Sequence, residues 1–228
     1  MIADNVRRVM ERIGAAAGRS GRSAVQVELV VSTKGRSLAE IDEVISAGVR
    51  TIGENRVQEA EVKYPHLKGR VEVHMIGHLQ RNKVEDALQI FDMIHSVDSL
   101  RLAEEIEKVG ERTGKAMPVL LEVNISGERS KFGVEPEELY PIVEKVAAMR
   151  AIRIEGLMTM SPVTEDSEQV RPVFRRLREL AGELSRHAFP GVKMRRLSMG
   201  MTQDFEVAVE EGATMVRVGT AIFGESQP

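Results

Sequence analysis

The run Val27-Glu-Leu-Val-Val-Ser-Thr-Lys34 is rich in β-branched residues and ends in a lone ammonium just before Gly35. Valine-rich strands mark a sheet buried on both faces. Similar runs recur at 51–54, 71–77, 93–97, 118–124, 152–160, 194–199 and 215–220, which makes eight strands in all. Helical periodicity fills the gaps between them, at 37–47, 99–113, 136–149 and 165–187 among others, and Gly48, Gly114 and Gly212 stand where helices end in a left-handed residue. Strict alternation of strand and helix implies parallel strands joined by crossover helices. Eight such units in 228 residues predict a closed (β/α)8 barrel of the TIM type rather than an open, doubly wound sheet, which is the alternative. An amphipathic segment at about 3–17 adds an N-terminal helix that covers part of the barrel. With no linker, repeat or low-complexity stretch, one domain is expected over 1–228.

Composition narrows the function classes. The chain is 42% hydrophobic and 29% charged, with 35 acids against 32 bases and a formal charge of −3. Both signs are interspersed, so no basic field exists to neutralise a nucleic-acid backbone. There is no cysteine, which removes disulfides, thiolate catalysis and cysteine-held metals. No apolar run reaches the length of a membrane span, and the start lacks the apolar stretch of a signal peptide. A cytoplasmic protein without nucleic-acid or membrane partners is expected.

In such barrels functional groups gather at the carboxyl ends of the strands. Lys34 ends the first predicted strand, Gly53-Glu54-Asn55 the second, Gly77-His78-Leu79-Gln80 the third, Asn124 the fifth, Met158-Thr159-Met160 the sixth, Ser198-Met199-Gly200 the seventh and Gly219-Thr220 the eighth. Each alone reads as a cap or turn. In a partly desolvated pocket Lys34 would have a lowered pKa and attack an aldehyde as the neutral amine; the alternative is a lysine whose stem packs on the sheet while its head reaches water. Alternation in Met215-Val216-Arg217-Val218-Gly219 puts the valines on one face and Arg217 on the other. If the valines meet the helices, Arg217 points into the barrel, where it needs either a structural carboxylate or a ligand atom. An amine at one strand end and a small, polar phosphate cradle at another suit pyridoxal 5′-phosphate (PLP). The methionines read as core fillers, some lining the pocket, and the histidines His66, His74, His95 and His187 read as too dispersed for a metal site.

Longer motifs carry a resemblance. Ile52-Gly-Glu-Asn55 with Val57-Gln-Glu59, Ile76-Gly-His-Leu-Gln80 with Asn82-Lys83, Ser126-Gly-Glu with Lys131-Phe-Gly133, Gly156-Leu-Met-Thr-Met160, Leu197-Ser-Met-Gly-Met201 and Val216-Arg-Val-Gly-Thr-Ala-Ile-Phe-Gly224 follow in order from about residue 3 to 224. The set resembles the pyridoxal phosphate homeostasis proteins, relatives of the alanine racemase N-terminal barrel. The resemblance implies PLP held as an internal aldimine on Lys34, with Asn55 lining the site, Ser198, Gly219 and Thr220 holding the phosphate, and Arg217 facing the pyridine nitrogen. It also implies buffering and delivery of the cofactor, to PLP-dependent apo-enzymes among other partners, rather than an established reaction. Ser32-Thr33 stands where the family has valine and serine before the lysine, Arg56 replaces a common aromatic, and Thr202 replaces a frequent serine.

A racemase needs acid and base groups on both faces of the substrate carbon. In the racemases this chain resembles, the second group is a tyrosine from another domain and subunit. Only four residues follow Gly224 here, and the two tyrosines, Tyr64 and Tyr140, precede prolines away from the expected strand ends. Arg217 cannot accept a proton from the ring, which would weaken the cofactor as an electron sink. A non-catalytic, monomeric PLP carrier is therefore expected, with a small PLP enzyme, or a barrel holding another phosphorylated metabolite, as the alternatives.

Overall fold

The eight valine-rich runs pair side by side in chain order and close on themselves. The computed structural model describes residues 1–128, 131–187 and 189–224; the other residues of the domain expected over 1–228 lie outside that description. Its strands are β1 (Glu28–Ser32), β2 (Thr51–Glu54), β3 (Glu72–Met75), β4 (Met93–Val97), β5 (Met117–Glu122), β6 (Ile152–Met158), β7 (Arg196–Ser198) and β8 (Met215–Val218). All neighbours run parallel, and β8 returns to β1 with Val30 opposite Arg217. The expected closed barrel is the fold observed. No described helix is long and apolar enough to cross a membrane.

Period-two alternation sorts the core into two shells. Val30, Ile76, Met93, Leu120, Met158 and Met215 fill the barrel interior as one cluster. Val31, Ile52, Val119, Val216 and Val218 face outward into a larger cluster shared with the helices. The crossover helices are α2 (Leu38–Ser46), α3 (Val57–Leu67), α4 (Val84–Ile90), α5 (Leu100–Thr113), α6 (Leu139–Ala147), α7 (Arg171–Ser185), α8 (Phe205–Glu210) and a short α9 (Thr220–Phe223) after β8. Ser37 opens α2 with a capping box closed by Glu40, and Ser99 caps α5.

The N-terminal helix α1 spans Ile2–Arg19, two residues beyond the expected end. Val6, Val9, Ile13, Ala16 and Ala17 recur at helical spacing and are buried, so this stripe is what docks α1 on the barrel. The amide of Asn5 donates to the Ile222 carbonyl at 2.7 Å. Two expected helices start later than their periodicity suggested, behind 3-10 turns at Pro136–Glu138 and Ser167–Val170. Pro136 lies in the first of these turns and Pro172 in the opening turn of α7, where a missing N–H costs least.

One boundary matters for the site. The first strand ends at Ser32; the Thr33 N–H makes its last ladder bond, to the Gly53 carbonyl at 3.0 Å, and Lys34 sits in the turn with Gly35, whose φ is +68°. Thr33 is fully buried and its hydroxyl donates to Glu54 Oε1 at 2.5 Å. That bond pins the strand end and turns the chain before Lys34.

Candidate functional site

The carboxyl ends of the strands surround two adjoining cavities. The first, of about 360 Å³, is lined among others by Ser32, Met160, Thr202, Arg217, Gly219 and Thr220. The second, of about 690 Å³, is lined among others by Lys34, Arg56, Gln58, His78 and Lys83. Asn55 borders both. Five of the six residues expected at the site, Lys34, Asn55, Arg217, Gly219 and Thr220, thus border one cavity or the other. Both volumes fall in the range of small-molecule pockets.

Arg217 is the most constrained of these groups. Its side chain comes from β8 on the inward face, opposite Val216 and Val218, and is only 4% exposed. One nitrogen donates to the Ser198 hydroxyl at 2.5 Å; the other donates to the Thr159 carbonyl at 2.9 Å and meets the Met160 sulfur at 3.1 Å. Burial pushes its pKa down to about 10, while Glu122 and Asp204 pull it upward from a distance. Among the described residues no carboxylate pairs with it, so the structural-carboxylate alternative is not realised. A charged donor in this position retains capacity for a ligand acceptor in the cavity it lines.

Lys34 corrects an expectation. It is exposed in the turn rather than desolvated, because β1 ends two residues before it. Its amine has no hydrogen-bond or ion partner among the described residues, which leaves it free to react. Ser198 corrects another. The hydroxyl expected beside a phosphate is fully buried below the cavity, accepts from Arg217 and bonds His95 Nδ1 at 2.9 Å. Thr202 borders the cavity instead, and its hydroxyl accepts from the Ala221 N–H at 3.4 Å.

Asn55 supplies the sharpest sign of a ligand. Its Oδ1 is buried with no hydrogen-bond partner, and such atoms are uncommon unless something else bonds them. Gly219 packs closely on the neighbouring strand end, where a Cβ would come within 3.3 Å of Ser32 at the cavity wall. An amine, a guanidinium, hydroxyls and an unsatisfied amide fit a molecule bearing an aldehyde, a ring acceptor and a phosphate.

The rest of the mouth supports these groups. His78 pairs with Asp98 at 2.9 Å and stacks on Phe132 at 3.8 Å, a supporting place at the rim. Met160 and Met201 line the smaller cavity, while Met158 and Met199 are buried filler. Tyr64 and Tyr140 lie on α3 and α6, away from both cavities. Two features escaped the sequence reading. His74 and His95, read as dispersed, meet at 3.0 Å inside the barrel. Glu122 closes β5 on the inward face, where burial and Asp98 push its carboxyl up to about 7 against the pull of Arg217. The alternation that exposed Arg217 held the signal for all three.

Comparison with known proteins places the fold in a family. The family model of the alanine racemase N-terminal domain matches residues 2–227. The chain is 45% identical to the pyridoxal phosphate homeostasis protein of Aquifex aeolicus over 97% of both chains. It is 40% identical to that of Escherichia coli K12, over 98% of this chain and 96% of the relative. Among solved structures, PipY of Synechococcus elongatus with PLP bound superposes with a TM-score of 0.85 at 34% identity, covering 98% of this chain and 100% of that one. An alanine racemase from Clostridium difficile, at 15% identity and a TM-score of 0.76, shares the fold over 58% of its own chain. This chain belongs to the pyridoxal phosphate homeostasis protein family, built on the alanine racemase N-terminal barrel.

Proposed function

We propose that this protein binds PLP across the two adjoining cavities and serves in intracellular PLP homeostasis, with Lys34 as the covalent attachment point. The observation that carries the reading is a free amine on Lys34 and a buried, carboxylate-free Arg217 on either side of the unsatisfied Asn55. When bound, the cofactor supplies an aldehyde carbon and an electron-withdrawing ring. Lys34 provides the nucleophilic nitrogen for that aldehyde. Arg217 donates toward the ring nitrogen and, having no lone pair to take a proton, keeps that nitrogen unprotonated. Thr202, Thr220 and the backbone of Gly219 cradle the phosphate, and Asn55 Oδ1 accepts a hydrogen bond from the ligand.

A donor opposite the ring nitrogen disfavours carbanion chemistry, and the tyrosines stand away from the mouth, so we read the protein as a carrier without turnover. We further propose that it works as a cytoplasmic monomer that hands the cofactor to apo-enzymes. Addition of PLP to the purified protein, borohydride reduction and peptide mass mapping test the site. The label is expected on Lys34; a label elsewhere, or none, overturns the reading. Incubation of the loaded protein with L-amino acids in deuterium oxide tests the carrier role. Enzyme-like exchange at the α-carbon would overturn it.

A further inference from the structure

Beneath Arg217 a single file of hydrogen bonds runs down the barrel axis. Arg217 donates to the Ser198 hydroxyl at 2.5 Å, Ser198 meets His95 Nδ1 at 2.9 Å, His95 Nε2 meets His74 Nδ1 at 3.0 Å, and His74 Nε2 meets Glu72 Oε2 at 3.3 Å. The links come from four inward positions on β8, β7, β4 and β3. His74, His95, Ser198 and Arg217 are all at most 4% exposed, whereas Glu72 reaches solvent at the opposite mouth.

The chemistry of the two ends dictates the order of protons. A guanidinium only donates and a carboxylate only accepts. Ser198 therefore receives from Arg217 and gives its one proton to His95 Nδ1. His95 must then be the neutral Nε2–H tautomer and donate to His74 Nδ1, and His74 must in turn be the neutral Nε2–H tautomer and donate to Glu72. Read from the carboxylate upward, the order is the same. With both rings neutral, any other tautomer sets two donors or two acceptors face to face at one link, and an unmade buried hydrogen bond is costly; a doubly protonated His74 would reverse the order and put a proton on Nδ1 of both rings.

We propose that His95 and His74 are positioning residues for the cofactor site, acting through Ser198 to hold the Arg217 guanidinium in one orientation at the ring end of the ligand. The inference rests on the PLP reading above. A guanidinium with no carboxylate partner has no ion pair to orient it, so this file of neutral groups does so instead. It carries no net charge into the barrel interior. The charged groups facing it are Arg217 and Arg196 at His95 and Glu72 and Glu28 at His74; burial, His74 whenever it is protonated, and both arginines hold His95 well below the usual histidine range, so its ring stays neutral as pH falls.

Two measurements on the full-length protein test this, and the first needs no cofactor. Long-range proton–nitrogen correlation spectra of the five histidines should show His74 and His95 as neutral Nε2–H tautomers, His95 remaining so below the ordinary histidine pKa of about 6.5. A proton on Nδ1 of either ring at neutral pH overturns the proposal. The second is a cycle of PLP dissociation constants. His95→Leu should weaken PLP binding about tenfold, the worth of one hydrogen bond to a charged group, yet have no further effect in an Arg217→Leu background. Equal losses in both backgrounds overturn the proposal. His95→Gln, whose amide both accepts and donates, should restore affinity to within about threefold of the parent, and it covers the case in which the leucine variant fails to fold. If the parent protein takes up no PLP, the functional reading fails, while the tautomers still decide the proton order.

Discussion

Two buried cations lie on opposite sides of the same sheet and are held in opposite ways. Lys63, 7% exposed between the barrel and α3, bonds Glu54 at 2.8 Å, Glu59 at 2.6 Å and the Thr33 carbonyl at 2.8 Å. Arg217, inside the barrel, bonds a hydroxyl, a carbonyl and a sulfur, with no carboxylate partner among the described residues. The first arrangement is self-sufficient: charge meets charge where the helix packs. The second leaves positive charge uncompensated at the carboxyl end of a strand, beside a cavity. A buried cation that brings its own counter-charge supports the fold, and one that lacks it is available to a ligand.

The comparison breaks first at Lys63. Lys63→Met leaves Glu54 buried without its cation and should cost about 3–5 kcal/mol, read as a lowered urea midpoint. A loss under about 1 kcal/mol would mean that the pair is not structural.

Glu122 comes next, because an ionised carboxylate there would act as counter-charge to Arg217. Its folded pKa of about 7 lies above the ordinary glutamate value. Between about pH 4.3 and that value the folded state binds more protons than the unfolded chain, so stability falls as pH rises through this window. At about 1.4 kcal/mol per pKa unit the loss is about 4 kcal/mol. Glu122→Gln should remove this slope, making the variant the more stable protein above neutrality. Parallel stability–pH curves for variant and parent would show that Glu122 is ionised in the fold, and the contrast with Lys63 would weaken.

Arg217→Met sharpens the comparison by separating stability from binding. Stability should change by less than about 1 kcal/mol, since relieving a buried cation that lacks a counter-charge offsets its lost hydrogen bonds, while PLP affinity falls by the equivalent of about 1.5–3 kcal/mol. A collapse of stability with affinity intact would make Arg217 the structural cation after all. The smallest effect is expected from Gly219→Ala, whose added methyl meets Ser32 at 3.3 Å. PLP affinity should drop by less than about 1 kcal/mol with the melting temperature unchanged; an unaltered affinity would move the cradle away from Gly219.

Sequence alone determined the architecture. Eight short β-branched runs separated by helical periodicity leave a closed parallel barrel as the economical way to bury every strand on both faces. Alternation along β8 also placed Arg217 inside, because the side-chain period of a strand is local and independent of partners. Motif order tied Lys34, Asn55, Gly219 and Thr220 to one end of the barrel. Tertiary structure decided what each group touches. Lys34 lies in a turn because the Thr33 hydroxyl finds Glu54, twenty-one residues on, a contact that no local pattern contains. Ser198 lies beneath the cavity because its hydroxyl bonds Arg217 and His95, the latter 103 residues away. His74 and His95 meet because parallel pairing sets β3 beside β4 with His74 opposite Met93, and register between strands is settled by the closing of the whole barrel. Local periodicity says which way a side chain points; only the closed barrel says what it meets there.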